Sequence, residues 1–273
     1  QDKMYLLRSI LGMNLKAMNR KMNTLTQIKQ DFTNNNFIIV GSPKGIGFSI
    51  AKHLAFNGAK VTLVSPQFNT TPNIFTASDT INEIVKKPSC MGVICDTNTP
   101  SHIQHVINET LDVHGPINGL VLTSDVGYLK NSKDLYHIEA KKMNNSNING
   151  TYLFGQMCLQ HMEEENTRGH LIIVAPPLHE IYSDEDQWQN HFYYTMTKMN
   201  MSLMSKYWDK EFSNISVNTV WPKISVPLPK YQEKGDYKLP EDMAKAMCKI
   251  FKTDPLKCHG NHYIDADINA LIR

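Results

Sequence analysis

The sequence predicts an α/β domain built on a doubly wound, seven-stranded parallel sheet with helices on both faces. Apolar, strand-like runs alternate with helix-like segments from residue 36 onward, and these runs lack the in/out alternation of a half-exposed sheet. Glycines follow the first run directly, as at a turn from strand to helix. The 273 residues are enough for one large domain, and no apolar run approaches the roughly 18 residues of a membrane span.

The elements can be placed in chain order. A first strand covers residues 37–40, a helix covers 46–56, and a second strand covers 60–64. The remaining strands are predicted at 91–95, 119–122, 171–174, 215–220 and 261–264. The remaining helices are predicted at 76–86, 100–113, 133–163, 192–212 and 240–252. The proline-rich stretch 222–240 is predicted to be a loop over the site.

Residues 1–35 differ in composition from the domain at 36–273 and are predicted to form a separate extension. Residues 1–30 carry six Lys and Arg side chains but a single acid, and their Leu and Met residues recur every three or four positions. This basic amphipathic pattern is typical of a mitochondrial transit peptide or of a helix lying on a partner or membrane surface. A helix packed on its own domain is the alternative. We therefore expect a mitochondrial location, with cytosolic or peroxisomal as alternatives, and contacts of the extension with other protein subunits.

Composition excludes several other classes. The net charge of +2 gives no argument for nucleic acid. Five cysteines without a CxxC pair favour a reducing compartment over a disulfide scaffold. The run from Cys258 to His262 lacks a second Cys/His pair, so no metal site is predicted. A homo-oligomer is compatible with the sequence.

The first candidate site follows the first strand. It is the run Gly41-Ser42-Pro43-Lys44-Gly45-Ile46-Gly47. Glycines there permit a tight turn and a close approach of the backbone to a phosphate, and the next helix begins with free N–H groups at its positive dipole end. The pattern predicts the dinucleotide turn of a Rossmann-type fold. A tight turn without a ligand is the alternative.

Three further positions bear on the cofactor. Ser65 ends the second strand, where a residue that binds the ribose 2′-hydroxyl is usually acidic, and Lys44 could attract a 2′-phosphate. This favours NADP(H) over NAD(H), although Lys44 could equally be a solvated loop charge and the site could hold no nucleotide. Asp96, after the third strand, is predicted either to bind the adenine amino group or to cap the next helix.

The second candidate site is the pair Tyr194 and Lys198. Four residues apart on a helix, they share one face. An ammonium beside a phenol stabilises the phenolate and lowers a pKa that starts near ~10. The pair therefore predicts a tyrosine that exchanges a proton with a carbonyl during hydride transfer.

The chain resembles the short-chain dehydrogenase/reductase superfamily over about residues 36–270. The resemblance rests on the pattern GxxxGxG, which is followed about 150 residues later by YxxxK. Within this superfamily, four segments are similar to the hydroxysteroid dehydrogenase-like branch: 175–178, 194–198, 217–223 and 260–265. The resemblance implies that these residues hold the cofactor: Gly41, Lys44, Gly45, Ile46, Gly47, Ser65, Asp96, Lys198 and Pro222.

The resemblance also implies catalytic roles. Asn147 would bend a helix and hold a relay water, Tyr194 would be the acid/base, and Lys198 would hold the ribose and tune Tyr194. Residues 222–226 would cover the nicotinamide.

The sequence departs from the family pattern at the catalytic serine. Its position is Pro176, or Ala175 when judged by the branch, and neither has a hydroxyl. Loss of one preorganised donor typically costs on the order of 10²–10³ in rate. Ser124 or Ser183 could substitute.

Two further departures lie beside the site. Residues 122–125, Leu-Thr-Ser-Asp, replace the family's N-N-A-G, and an acidic insert spans 180–186. The sequence therefore predicts an NAD(P)(H)-binding protein with an incomplete catalytic site, an accessory or structural subunit of a larger mitochondrial complex. The alternative is an active NAD(P)(H)-dependent oxidoreductase on a carbonyl or secondary alcohol.

Overall fold

The computed structural model describes residues 32–66, 72–183, 188–222, 240–265 and 268. Almost all of the predicted extension 1–35, the predicted loop over the site and part of the acidic insert lie outside the described residues.

One sheet of seven parallel strands organises the described residues. Its spatial order is β3-β2-β1-β4-β5-β6-β7, so the chain winds outward from β1 in one direction and from β4 in the other. The strands are β1 Asn36–Val40, β2 Lys60–Ser65, β3 Cys90–Ile94, β4 Gly119–Leu122, β5 Gly169–Ile173, β6 Ile215–Trp221 and β7 His262–Ile264. The predicted doubly wound, Rossmann-type sheet is confirmed.

Helices connect the strands and cover both faces. They are α1 Gly45–Phe56, α2 Ile74–Val85, α3 Pro100–His114, α4 His137–Met143, α5 Thr151–Glu164, α6 Leu178–Ser183, α7 Phe192–Glu211 and α8 Pro240–Lys252. A π-helical segment, Asn144–Gly150, joins α4 to α5, and short 3₁₀ turns cover Gln189–His191 and Pro255–Lys257. None of the helices that the structure describes is long and apolar enough to cross a membrane.

The core consists of two apolar layers, one on each face of the sheet. Ile38 and Ile39 are adjacent in β1 and point to opposite faces, yet neither is exposed to solvent. Ile39 packs in the layer that includes α1 and α8, and Ile38 packs in the layer that includes α3 and α5. This two-sided burial explains why the strands are continuous apolar runs in the sequence.

The predicted helix over 133–163 begins later than expected, at His137. The Glu139 carboxylate accepts a hydrogen bond from the Tyr136 backbone N–H at 3.1 Å, and it pairs with Lys130 Nζ at 2.7 Å. These contacts fix the start of α4, since a free N–H at the helix start is satisfied by a side chain.

The strand order reverses between β1 and β4, which are hydrogen-bonded neighbours. The loops that follow them leave the carboxyl edge of the sheet in opposite directions, and ligands of such sheets bind in the crevice between them. The fold therefore places the glycine turn and the segment after β4 at one edge.

Candidate active site

The three glycines after β1 are required for two reasons. A Cβ on Gly41 would overlap the Thr123 hydroxyl, which donates to the Val40 carbonyl at 3.0 Å. A Cβ on Gly47 would lie 3.0 Å from the Thr123 hydroxyl oxygen. Gly45 has a φ of +71°, a conformation that side chains disfavour, and a Cβ there would meet no atom within 4 Å. The turn is therefore packed against β4 at Gly41 and Gly47 and open at Gly45.

The start of α1 suits an anion. Lys44 is its N-cap residue, provides no side-chain cap, and the first turn carries no acidic residue. The early N–H groups of α1 therefore have no capping side chain from Lys44. Donors and a positive dipole end in this arrangement fit a diphosphate, so the residues present match this part of a dinucleotide.

The structure describes the residues that are predicted to contact the adenosine, but it does not test those contacts. Ser65 is the buried last residue of β2, and Lys44 is exposed. The Asp96 carboxylate accepts hydrogen bonds from the Asn98 N–H and the Thr99 hydroxyl, both at 3.0 Å. The Asn98 bond holds the pKa of Asp96 below its ordinary value. Asp96 therefore orders the turn before α3, and its contact with adenine remains a prediction.

Asn147 lies in the π-helical segment and is wholly buried. Its amide pairs with the backbone of Val126 in both directions: Nδ2 donates to the carbonyl at 2.9 Å, and Oδ1 accepts from the N–H at 2.8 Å. Nδ2 also donates to the Thr197 hydroxyl at 3.1 Å, which donates to the Tyr194 carbonyl at 2.7 Å. Asn147 thus ties the segment after β4 to α7.

Asp125 joins the predicted Tyr/Lys pair. The Tyr194 hydroxyl donates to Asp125 Oδ2 at 2.7 Å, and Lys198 Nζ lies 3.1 Å from the same oxygen. Lys198 also donates to the Val174 carbonyl at 3.3 Å, and its Nζ lies 5.4 Å from the centre of the Trp221 ring. Tyr194 is 7% exposed, Lys198 is wholly buried, and the Asp125 side chain is 33% exposed.

Burial and the Asp125 carboxylate raise the pKa of Tyr194 well above its ordinary value of 10.0. The sequence predicts that Lys198 lowers this pKa, whereas burial and Asp125 together raise it. A phenolate would lose its bond to Asp125 and would lie beside another negative charge, so the neutral hydroxyl is favoured. The Lys198 ammonium lies against Asp125, and the same carboxylate disfavours a negative charge on Tyr194.

The family is shown by comparison with known protein families. A family model described as short chain dehydrogenase matches residues 35–226. The chain belongs to the short-chain dehydrogenase family. Proteins of this family generally bind NAD(P)(H), in agreement with the diphosphate fit at the start of α1.

Curated relatives confirm the hydroxysteroid dehydrogenase-like resemblance. The chain is similar to hydroxysteroid dehydrogenase-like protein 2 of Xenopus tropicalis (26% identity), Danio rerio (28%) and Homo sapiens (26%). Each of these alignments covers 84% of this chain and 56% of the relative. The chain therefore spans just over half the length of these relatives.

Solved structures share the fold. A putative dehydrogenase from Xanthomonas campestris superposes with a TM-score of 0.74 at 24% identity, covering 88% of this chain and 90% of its own. A short chain dehydrogenase from Mycobacterium thermoresistibile gives 0.75 at 24% identity, covering 88% and 87%.

The position of the family's serine carries no hydroxyl in the structure. Ala175 and Pro176 follow β5, and both are buried. The Ser124 hydroxyl is buried without a hydrogen-bond partner, and the side chain of Ser183 lies outside the described atoms. No described contact therefore places a serine hydroxyl beside Tyr194 in this member of the short-chain dehydrogenase family.

The structure brings together three of the predicted residues, Asn147, Tyr194 and Lys198. It adds two that sequence reasoning did not assign to the site, Asp125 and Thr197. The available signals were an acidic residue just past the carboxyl end of β4 and a hydroxyl residue directly before Lys198. Pro222 is buried after β6, and its predicted contact with the cofactor remains untested, as do those of the glycine turn.

Proposed function

We propose that this chain is a dinucleotide-binding member of the short-chain dehydrogenase family that does not catalyse hydride transfer and that serves as an accessory or structural subunit of a larger mitochondrial complex. One observation carries the proposal: the Asp125 carboxylate binds both the Tyr194 hydroxyl and the Lys198 ammonium.

Carbonyl reduction needs a proton donor whose conjugate base is stabilised. The Tyr194 hydroxyl donates a hydrogen bond to Asp125 at 2.7 Å, and loss of its proton would place two anions in contact. The missing serine removes a second donor, and each such loss costs on the order of 10²–10³ in rate. The two changes act in the same direction.

The site supports binding of the cofactor's diphosphate but opposes binding of the ribose that the family resemblance assigns to Lys198. The open space at Gly45 and the uncapped start of α1 fit a diphosphate. Lys198, which the family resemblance assigns to the ribose, is held by Asp125 and the Val174 carbonyl. Ser65 and Lys44 favour NADP(H) over NAD(H), because neither repels a 2′-phosphate.

The subunit role and the mitochondrial location are supported by the composition of residues 1–30. Six basic side chains against one acid suit import or contact with a partner surface.

An active oxidoreductase on a carbonyl or secondary alcohol is the second candidate. One observation favours it. Hydrogen bonds connect Asn147 through Thr197 to Tyr194, and Lys198 contacts the Tyr194 ring. In that reading Asp125 would release Tyr194 when substrate binds.

Turnover separates the two candidates. Purified full-length protein is mixed with NADPH or NADH and a panel of ketones and acyl carbonyls, and with the oxidised cofactors and secondary alcohols. We expect binding heat with the nicotinamide cofactors by calorimetry but no turnover, because the Tyr194 proton is held by Asp125. Measurable reduction that Tyr194→Phe abolishes, and that the neighbouring Tyr193→Phe leaves intact, would overturn the proposal.

A further inference from the structure

The groups around Asp125 differ in whether their hydrogen-bonding capacity is already used. From this we infer that the position beside Asp125 selects a ligand group that donates a hydrogen bond, an alcohol, over one that only accepts, a carbonyl. The inference rests on the proposed function, because both depend on the contact between Asp125, Tyr194 and Lys198.

The donors that a carbonyl would need are already engaged. The Tyr194 hydroxyl donates to Asp125 Oδ2. The Lys198 ammonium is wholly buried, lies against Asp125 and the Val174 carbonyl, and its Nζ is 5.4 Å from the centre of the Trp221 ring. Lys198 is therefore buried and already has two polar partners, Asp125 and the Val174 carbonyl.

The next polar groups are engaged as well. The Asn147 amide bonds to Val126 and Thr197, and the Thr123 hydroxyl bonds to the Val40 carbonyl. The Ser124 hydroxyl has no hydrogen-bond partner, but it is buried away from solvent.

One acceptor is left over. Both Tyr194 and Lys198 use Oδ2 of Asp125, and Oδ1 has no hydrogen-bond partner among the described residues. The Asp125 side chain is one-third exposed, so a ligand can approach the carboxylate. A hydroxyl can donate to Oδ1, whereas a carbonyl oxygen would face a carboxylate oxygen, and two acceptors repel each other.

The amide variant Asp125→Asn reverses this polarity. Its single oxygen can take the place of Oδ2, where it accepts from the Tyr194 hydroxyl and lies beside the Lys198 ammonium. The NH₂ group is then left where Oδ1 lies in the natural protein, and it can only donate. The shape of the site is conserved while the free acceptor becomes a donor.

The experiment compares cyclohexanol with cyclohexanone, which differ only at the oxygen-bearing carbon. Full-length protein is labelled with fluorotryptophan, and ¹⁹F resonances are followed during titration of each probe. Trp221 reports on the site through its contact with Lys198, and Trp208, which stacks on Tyr152 in the other apolar layer, is the internal reference for folding. Resonances are assigned by single Trp→Phe substitutions.

We expect cyclohexanol to shift the Trp221 resonance with a Kd about tenfold lower than that of cyclohexanone, since hydrogen bonds to charged groups are among the stronger ones. Asp125→Asn reverses the order. Asp134→Asn, an exposed carboxylate in the same connection between β4 and α4, leaves the ratio unchanged. Tyr194→Phe also keeps the alcohol preference, because Asp125 remains.

Equal or tighter binding of cyclohexanone by the natural protein overturns the inference. An unchanged ratio in Asp125→Asn with an unshifted Trp208 signal overturns it too, as does a Trp221 signal that neither probe moves. If one of these results is obtained and no turnover is detected, only this inference fails and the proposed function is retained. Turnover that depends on Tyr194 would instead contradict the proposed function.

Discussion

At the scale of the residue, one carboxylate changes what the Tyr/Lys pair can do. The pairing of Tyr194 with Lys198 is local, since helical spacing brings them to one face, and for that reason the sequence predicts it. The contact of Tyr194 with Asp125 spans 69 residues of sequence, and no local pattern indicates it. Sequence reasoning therefore predicted that Tyr194 and Lys198 lie together, but it did not predict the raised pKa of Tyr194.

His170 gives the molecule a pH-dependent stability. It is 5% exposed at the start of β5, lies edge-on to Phe251 at 5.6 Å between ring centres, and burial lowers its pKa from 6.5 to about 4. Between those values the unfolded chain binds a proton that the folded chain does not, so stability falls as the pH falls. We expect this one residue to contribute about 3 kcal/mol of loss between pH 6.5 and 4.

Urea unfolding across this pH range, followed by tryptophan fluorescence, measures the effect. His170→Phe keeps an aromatic ring beside Phe251 and flattens the decline between pH 6.5 and 4, whereas His102→Gln, on the exposed face of α3, leaves the slope as it is. An identical slope in His170→Phe and the natural protein would refute this role. His53, His114 and His262 have pKa values that burial also lowers, so part of the acid sensitivity persists in every variant.

At the scale of the element, strands and helices follow the sequence patterns closely. The predicted bounds of α8 are those observed, and β1 begins one residue before its predicted start. The π-helical segment Asn144–Gly150 is not foreseen by spacing, because an apolar stripe indicates a helix without fixing its hydrogen-bond register. The packing of the glycine turn against Thr123 is also invisible locally, since β1 and β4 are far apart in sequence.

That packing predicts an energetic coupling. Gly41→Ala forces a methyl group onto the Thr123 hydroxyl and is expected to lower the free energy of unfolding by about 1–3 kcal/mol. Thr123→Ala removes the overlapping oxygen, so the double variant should recover at least ~1 kcal/mol relative to the sum of the single changes. Urea denaturation of the four proteins measures the cycle.

Gly45→Ala is the matched control for this cycle. It is destabilised by its φ of +71° alone, because a Cβ there meets nothing within 4 Å. It should therefore show no coupling to Thr123. Additive effects of Gly41→Ala and Thr123→Ala would mean that the turn does not pack against β4 as described.

At the scale of the whole molecule, the fold could be predicted and the chemistry only in part. Seven apolar runs separated by helices determine a parallel sheet with two covered faces, and β1 beside β4 locates the edge where ligands bind. What happens at that edge depends on contacts between segments far apart in the chain, such as Asp125 with α7 and Asn147 with Val126. Function resides in these contacts rather than in the shared fold.

The ionisation of Tyr194 tests the central claim most directly. Tyrosine absorbance near 295 nm is titrated in the natural protein, in Asp125→Ala and in Asp134→Ala, and each curve is compared with its Tyr194→Phe counterpart to isolate one residue. We expect the pKa of Tyr194 to lie above the ordinary value of 10.0 in the natural protein and in Asp134→Ala. In Asp125→Ala it should be lower than in the natural protein, because the carboxylate that opposes the phenolate is gone while burial still raises the pKa. A Tyr194 that already titrates below 10.0 in the natural protein would contradict the account.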